Sequence, residues 1–132
     1  MSLRLLDTNI WIALAKGEPG PIARLRKLDP AEIAVCSVVR AELMFGARKS
    51  RRVEENLRGF RDLLAPFASL PFDDRAAEHY GMVRASLEGA GTPIGANDLL
   101  IASIALAHDC LLVTRNSREF ERVAGLRLEA WP

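Results

Sequence analysis

The sequence has 132 residues, of which 49% are hydrophobic and 27% charged, and its formal net charge is +1. This length and composition favour one globular domain over residues 1–132 and exclude an intrinsically disordered chain. No apolar stretch approaches the roughly 20 residues that a transmembrane helix needs, and the N-terminus does not resemble a signal peptide, so we expect a cytoplasmic protein with no membrane partner.

Short apolar runs alternate with amphipathic segments along the chain. Strands are predicted over residues 3–6, 33–36, 69–72, 111–114 and 127–129. Helices are predicted from residue 8, over 19–28, after Ser37 as a cap, from about 50 to 65, over 73–87 and over 97–107. Cys36 and Cys110 lie in apolar runs, which indicates reduced, buried thiols. The alternation predicts an α/β fold with a parallel sheet and helices on both of its faces.

The basic residues are strongly biased toward arginine. Of 18 basic residues only three are lysines, and several of the arginines cluster in the stretch ARKSRRVEENLR. Because arginine contacts phosphate or carboxylate bidentately, this bias favours a nucleic acid or an acidic protein as partner. A solvated helix face explains the cluster equally well.

Polar residues directly follow two of the predicted strands. Asp7 comes after the apolar residues Leu5 and Leu6, and Asn116 comes shortly after the strand LLVT. Ligands of parallel α/β sheets bind at the carboxyl ends of the strands, where strand order reverses. We therefore expect Asp7 and Asn116 at one edge of the sheet.

Two further carboxylates are predicted on apolar helix faces. The neighbours of Glu42 three and four positions away are Val38, Val39, Phe45 and Gly46, and Asp98 begins the nearly apolar helix LLIASIALA. Asp98 could instead be a first-turn carboxylate stabilised by the helix N-terminus. Inward carboxylates without a buried lysine repel one another, and a divalent cation such as Mg²⁺, which takes oxygen ligands, removes this conflict. A cation held in this way can support phosphodiester cleavage.

Four stretches in this order resemble the VapC family of PIN-domain ribonuclease toxins. They are LLDTNI, AELMFGARKS, YGMVRASLEGAGTPIGANDLLIA and LLVTRNSREF, followed by LRLEAW. The resemblance spans essentially the whole chain. It implies a three-layer α/β/α PIN-like fold with a central parallel sheet of four to five short strands.

The resemblance also implies an activity and partners. The chain would be a Mg²⁺- or Mn²⁺-dependent endoribonuclease, the toxin of a type II toxin–antitoxin pair, inhibited by a VapB-type antitoxin that alone contacts operator DNA. The pattern GTPIGANDLLIA implies structured RNA as substrate, initiator tRNA among the candidates. A homodimer is also implied.

The family's acidic positions match residue by residue, with one departure. Asp7 and Asp98 would bind the metal, and Glu42 would complete the catalytic pocket and orient the attacking water. Asn116 stands where many PIN domains have aspartate, which leaves the number of metal ions open. Glu119 is the nearest carboxylate that could assist the metal shell.

The remaining polar and aromatic residues have simpler interpretations. Thr8, near the family's site, is expected to bond local backbone groups, as is Asn9. His79 and His108 have no paired nucleophile, so a catalytic role is not expected. Packing roles are expected for two tryptophans, Trp11 (also an interface candidate) and Trp131. Core or dimer contacts, ahead of base stacking, are expected for Phe45, Tyr80 and Met82.

Two other functions fit parts of the pattern. A phospho-receiver domain has a similar fold, but it requires a lysine after the last strand, and the last lysine here is Lys49. A catalytically weak PIN-fold module that binds nucleic acid and acts mainly through its antitoxin complex is the alternative that stays open. It would be favoured if the acidic set were broken, and three of its four positions are intact.

Overall fold

The computed structural model describes residues 2–132 and contains one five-stranded parallel sheet. The strands are β1 (Arg4–Leu6), β2 (Ile33–Cys36), β3 (Ala68–Leu70), β4 (Leu111–Thr114) and β5 (Arg127–Ala130). Their order in the sheet is β3-β2-β1-β4-β5, and each neighbouring pair is parallel. The predicted parallel α/β architecture is confirmed.

Helices cover both faces of the sheet and complete the three-layer α/β/α arrangement. They are α1 (Thr8–Ala15), α2 (Pro19–Arg26), α3 (Ser37–Arg48), α4 (Val53–Leu64), α5 (Asp74–Gly89), α6 (Ala96–Ala107) and α7 (Ser117–Phe120). Helices α1 to α4 contact one another, α5 packs on α6, and α3 also touches α6. Within residues 2–132, no helix is both long and apolar enough to cross a bilayer.

The core lies around the three central strands. Every residue of β2 is buried, as are Leu5, Leu6 and the last three residues of β4, because central strands of a parallel sheet are covered on both faces. Cys36 and Cys110 are free and buried, as predicted.

Both tryptophans are packing residues, as predicted. Trp11 and Trp131 are 0% and 1% exposed. The Trp11 indole donates a hydrogen bond of 3.0 Å to the Leu6 carbonyl, and its ring packs against Phe67. The interface role considered for Trp11 is wrong, because the Trp11 side chain is fully buried and cannot contact a partner.

Strand order reverses between β1 and β4, and this reversal positions the site. The chain passes from β1 to β2 on one side, while β4 pairs on the other side of β1. The Asp7 backbone N–H donates to the Val113 carbonyl at 2.8 Å, so β1 and β4 end side by side. Asp7 therefore lies at the crevice where α/β sheets bind ligands.

Several local predictions differ from the structure. Strand β3 covers Ala68–Leu70 rather than 69–72, and the short elements Pro30–Glu32 and Ser117–Phe120 were not predicted. Ser37 is the first residue of α3 and not its cap. Cys36 occupies the N-cap position without a side-chain hydrogen bond, and the Ser37 hydroxyl donates instead to the Leu70 carbonyl at 3.5 Å. The neighbouring strand β3 offers this oxygen, and sequence spacing alone does not reveal it.

Candidate active site

Asp7 is a buried carboxylate at the N-terminus of α1. Its side chain is held by two donors: the Thr8 backbone N–H reaches Oδ1 at 2.8 Å, and the Thr114 hydroxyl reaches Oδ2 at 2.8 Å. Burial raises the pKa of Asp7, the two hydrogen bonds oppose this rise, and the nearby charge of Glu42 adds to it. An ionised Asp7 therefore gains from a cation at the crevice.

Glu42 connects three helices at the same crevice. Its Oε1 accepts a hydrogen bond of 2.6 Å from the Thr8 hydroxyl of α1, and its Oε2 accepts one of 3.3 Å from the Asn97 amide of α6. The expectation that Thr8 bonds local backbone was wrong, since its hydroxyl orients Glu42. Glu42 was expected on an apolar helix face that points inward. In the structure Glu42 is half-buried, and its neighbours Phe45 and Gly46 are exposed, so this face of α3 is not a buried apolar stripe.

Asp98 and Glu119 form a carboxyl–carboxylate pair. Asp98 lies in the first turn of α6, and Glu119 lies on α7. Burial, the hydrogen bond to Glu119 and the charges of Asp7, Glu119 and Glu42 raise the pKa of Asp98 to about 7. The same hydrogen bond lowers the pKa of Glu119, with help from the Asn116 amide and the Gly95 backbone. Asp98 is therefore the more basic carboxylate of the pair.

Thr114 and Asn116 link the two halves of the acidic site. The Thr114 hydroxyl is fully buried, donates to Asp7 and accepts from the Asn116 backbone N–H at 2.9 Å. The Asn116 amide donates to Glu119 Oε2 at 3.1 Å. Asn116 therefore supports a carboxylate instead of supplying one.

Sequence reasoning did not single out Thr114 or Asn97. The signal for Thr114 was available, because it is the last residue of a strand that pairs with β1, and Val113 lies opposite Leu6. The next residue pair in register is Thr114 and Asp7. Asn97 gave no such signal, because its exposed amide meets Glu42 from a different helix.

The acidic residues have no basic partner of their own. None of the ion pairs in residues 2–132 involves Asp7, Glu42, Asp98 or Glu119. The Arg122 charge contributes weakly to the lowered pKa of Glu119, but the Arg122 guanidinium donates to the Pro93 carbonyl. The site is therefore a concentration of negative charge.

The donor set fits a hard divalent cation. All its side-chain ligands are oxygens, and each carboxylate oxygen of Asp7 retains a lone pair beyond the bond it accepts. Across the described residues, no three acidic, histidine or cysteine side chains already enclose an ion position. This arrangement suits Mg²⁺, which keeps several waters and is commonly held by one or two carboxylates.

The other polar residues noted in the sequence lie apart from this chemistry. The buried Asn9 side-chain oxygen accepts no hydrogen bond within the described chain. His108 lies 3.7 Å from Asp73, a carboxylate that caps the N-terminus of α5. His79 is half-buried on α5. Neither histidine forms a hydrogen bond or an ion pair with Asp7, Glu42, Asp98 or Glu119 within the described residues.

Known proteins share this chain's sequence and fold. The family model of the PIN domain matches residues 4–126. The chain is 39% identical over 127 residues to the tRNA(fMet)-specific endonuclease VapC of Shigella flexneri, covering 96% of both chains. It is also 39% identical to ribonuclease VapC2 of Haemophilus influenzae strain Rd, again over 96% of both.

Solved structures agree with these sequence relationships. DNA-bound VapBC from Salmonella typhimurium contains a chain with a TM-score of 0.93 and 37% identity, covering 100% of both chains. VapBC2 from Rickettsia felis, bound to a DNA fragment from its promoter, contains one with a TM-score of 0.92 and 36% identity. That match covers 98% of this chain and 99% of the Rickettsia chain.

Proposed function

The chain belongs to the VapC-type ribonuclease toxins of the PIN-domain family, and on this premise we propose that it is a divalent-metal-dependent endoribonuclease that cleaves initiator tRNA. Relatives named as tRNA(fMet)-specific endonucleases support this substrate. The observation that supports the metal-dependent chemistry is the acidic site itself, in which the charges of Asp7, Glu42 and Glu119 all act on Asp98. None of the four takes part in an ion pair within the described residues.

We assign these four residues different parts in the reaction. Asp7 and Asp98 would hold Mg²⁺ or Mn²⁺, and Glu119 with Asn116 would support Asp98. A bound divalent cation supplies positive charge for the phosphate and lowers the pKa of the attacking water. Glu42, which Thr8 and Asn97 orient, is the carboxylate best placed to align that water.

The hydrogen bonds of the site prepare it for this role. The hydrogen bond from the Thr114 hydroxyl holds the Asp7 side chain in one conformation. The free lone pairs of Asp7 are therefore already oriented before a cation binds. The proton on Asp98 must leave before Asp98 can ligate a cation, because a ligating carboxylate is ionised. This proton would leave to solvent, because Glu119, whose own pKa is lowered, is the weaker base of the two.

A VapB-type antitoxin is the proposed protein partner, and DNA binding is assigned to the antitoxin. The solved VapBC complexes, some bound to DNA, support this assignment. An open groove of about 490 Å³ between α1 and α4, lined by apolar residues that include Ala15, Phe60 and Leu63, could take an apolar antitoxin segment. Beside it, Ile12 is 37% exposed.

We also propose a single PIN domain over residues 1–132 and a homodimer in the absence of the antitoxin. One continuous cluster of buried residues, from Leu5 to Trp131, supports the single domain. Light scattering of the purified toxin tests the dimer, and a monomer at micromolar concentration would contradict it.

Cleavage of initiator tRNA by the purified toxin tests the proposed function. We expect cleavage with Mg²⁺ or Mn²⁺, none with EDTA, and no comparable cleavage of elongator methionine tRNA. Asp98→Asn should abolish cleavage, whereas Asp74→Asn, which changes an exposed first-turn aspartate of α5, should not. Undiminished cleavage in EDTA would contradict the metal mechanism, and absence of any metal-dependent cleavage would favour a catalytically weak module that binds nucleic acid.

A further inference from the structure

Phe45 is an exposed aromatic residue beside the acidic site. It lies one turn beyond Glu42 on α3. Its side chain is 64% exposed, which is the highest value among the large hydrophobic side chains of residues 2–132. Phe45 was expected in the core or at a dimer contact; the core position is wrong, and the dimer contact stays a prediction. Phe45 and Glu42 share the wall of an open groove of about 410 Å³, which continues over Val38, Ala41 and Asn97.

A positive charge lies over the Phe45 ring. The Lys49 ammonium lies over the ring at 5.3 Å from its centroid. Arg48 ends α3 and Arg51 lies in the loop before α4, and neither takes part in an ion pair within the described residues. The groove therefore runs from the Glu42 carboxylate to the Phe45 ring, and the Lys49 ammonium lies next to that ring.

We propose that this groove binds one unpaired nucleobase of the RNA substrate, stacked on Phe45, with the adjoining phosphate contacting Lys49. This inference rests on the proposed ribonuclease function and assigns a substrate subsite next to the reacting phosphate. Stacking on an exposed aromatic ring, next to basic side chains that contact the backbone, is how proteins bind single-stranded nucleic acid.

A nucleotide fits this surface better than an apolar protein segment. Covering the Phe45 ring with apolar protein would also desolvate the Lys49 ammonium, which is costly for an unpaired charge. A nucleotide brings its own phosphate to pair with Lys49 while its base covers the ring. An apolar partner that covers the groove would also desolvate the neighbouring Glu42 carboxylate, which is equally costly.

Binding of a fluorescein-labelled oligoadenylate, followed by anisotropy in Mg²⁺, tests the subsite. The parent protein is the Asp98→Asn variant, which should not cleave the RNA and in which no residue that lines the groove is changed. Phe45→Leu keeps an apolar side chain but loses the aromatic face, so we expect affinity to fall about 5- to 150-fold. Phe45→Trp should bind as tightly as the parent or more tightly. Met82→Ala is the matched control, because Met82 is 63% exposed on α5 and away from the groove.

Lys49→Gln provides an independent measurement. If Lys49 contacts a phosphate, the slope of log affinity against log salt should decrease in magnitude by about 0.7. The subsite is overturned if the parent does not bind oligoadenylate, if Phe45→Leu binds like the parent, or if Phe45→Trp loses as much affinity as Phe45→Leu. It is also overturned if Phe45→Leu dissociates a dimer in light scattering while RNA affinity is unchanged. These outcomes are separate from the proposed function, which fails only if the wild-type chain shows no metal-dependent RNA cleavage.

Discussion

The Thr114 hydroxyl donates a hydrogen bond of 2.8 Å to Asp7 Oδ2 and joins the ends of β4 and β1 inside the protein. The same oxygen accepts the Asn116 backbone N–H, so one side chain connects Asp7 to the segment that carries Glu119. The geometry of the acidic site thus depends on a residue that has no charge.

Thr114→Val removes this hydrogen bond and keeps the side-chain shape. Because a buried carboxylate loses a donor, we expect a loss of about 1–3 kcal/mol in the free energy of unfolding at neutral pH. The pKa of Asp7, already raised by burial, should rise further, so the loss should be smaller in acid, where Asp7 is protonated. Urea unfolding at two pH values measures both effects. Thr92→Val, in the exposed loop after α5, is the control, and equal losses for both variants would contradict the role of Thr114.

Asp98→Asn should change how stability depends on pH. In the folded protein the pKa of Asp98 is about 7, against an ordinary value of 3.8, so the folded state holds a proton that the unfolded state has released. Without metal, this contribution to stability is full below pH 3.8 and is lost as pH rises toward 7. Asparagine does not titrate, so the Asp98→Asn variant should not lose stability in this way as pH rises. Above pH 7 it should therefore unfold at a higher temperature than the wild type.

The Asp98→Asn variant should lose cleavage activity although its stability above pH 7 increases. Loss of a proposed metal ligand should lower cleavage by more than about 100-fold, since loss of even an outer partner of a metal site costs about 10- to 100-fold. Thermal scans without metal and initial cleavage rates with Mg²⁺ measure the two properties on one protein. Cleavage by Asp98→Asn at the wild-type rate would remove Asp98 from the site.

Much of the fold follows from hydrophobic patterning alone. Strands β2 and β4 were predicted with their observed bounds because each is a fully apolar run closed by a polar residue. The edge strand β3 was misplaced because it is largely exposed and lacks that pattern. Helix α7 was missed because four residues give too little periodicity.

The acidic site was predictable in its members but not in its connections. Asp7 and Asn116 were expected at one edge of the sheet, and pairing of β1 with β4 brings their segments together. Contacts between distant elements, such as Thr8 with Glu42, depend on how α1 lies against α3, which local spacing does not encode. A core position for Phe45 was wrong because an apolar residue on a helix is usually buried, and nothing in the local sequence reveals that this face of α3 is exposed.

Asn116→Asp tests why this position departs from the family's acidic pattern. The Asn116 amide donates to Glu119 at 3.1 Å, and an aspartate there would replace a donor with a charge. We expect lower stability without metal because carboxylates would repel, and a larger rise in melting temperature on addition of Mg²⁺ because the site would gain an oxygen ligand. Melting curves with and without Mg²⁺ measure both quantities. Asn56→Asp, on the exposed surface of α4, is the control, and an unchanged Mg²⁺ response in Asn116→Asp would separate position 116 from the metal site.

Inhibition by the antitoxin should reflect the charge of the acidic site. A guanidinium pairs bidentately with carboxylates, and Asp7, Glu42 and Asp98 have no basic partner within the described chain. We expect the antitoxin to insert an arginine or lysine beside these carboxylates and so to compete with Mg²⁺. Raising the Mg²⁺ concentration should then restore part of the cleavage activity of the complex.

The antitoxin residue that contacts the carboxylates can be tested separately from the rest of the interface. Changing its basic side chain to alanine should weaken inhibition and remove the Mg²⁺ dependence, while binding through the α1–α4 groove keeps the complex together. Titration of the purified complex with Mg²⁺, with cleavage and complex size followed in parallel, separates the two contributions. If the alanine variant inhibits fully, and inhibition does not vary with Mg²⁺, the antitoxin acts by covering the path of the RNA. In that case steric exclusion of the RNA, rather than the charge of Asp7 and Glu42, would explain the inhibition.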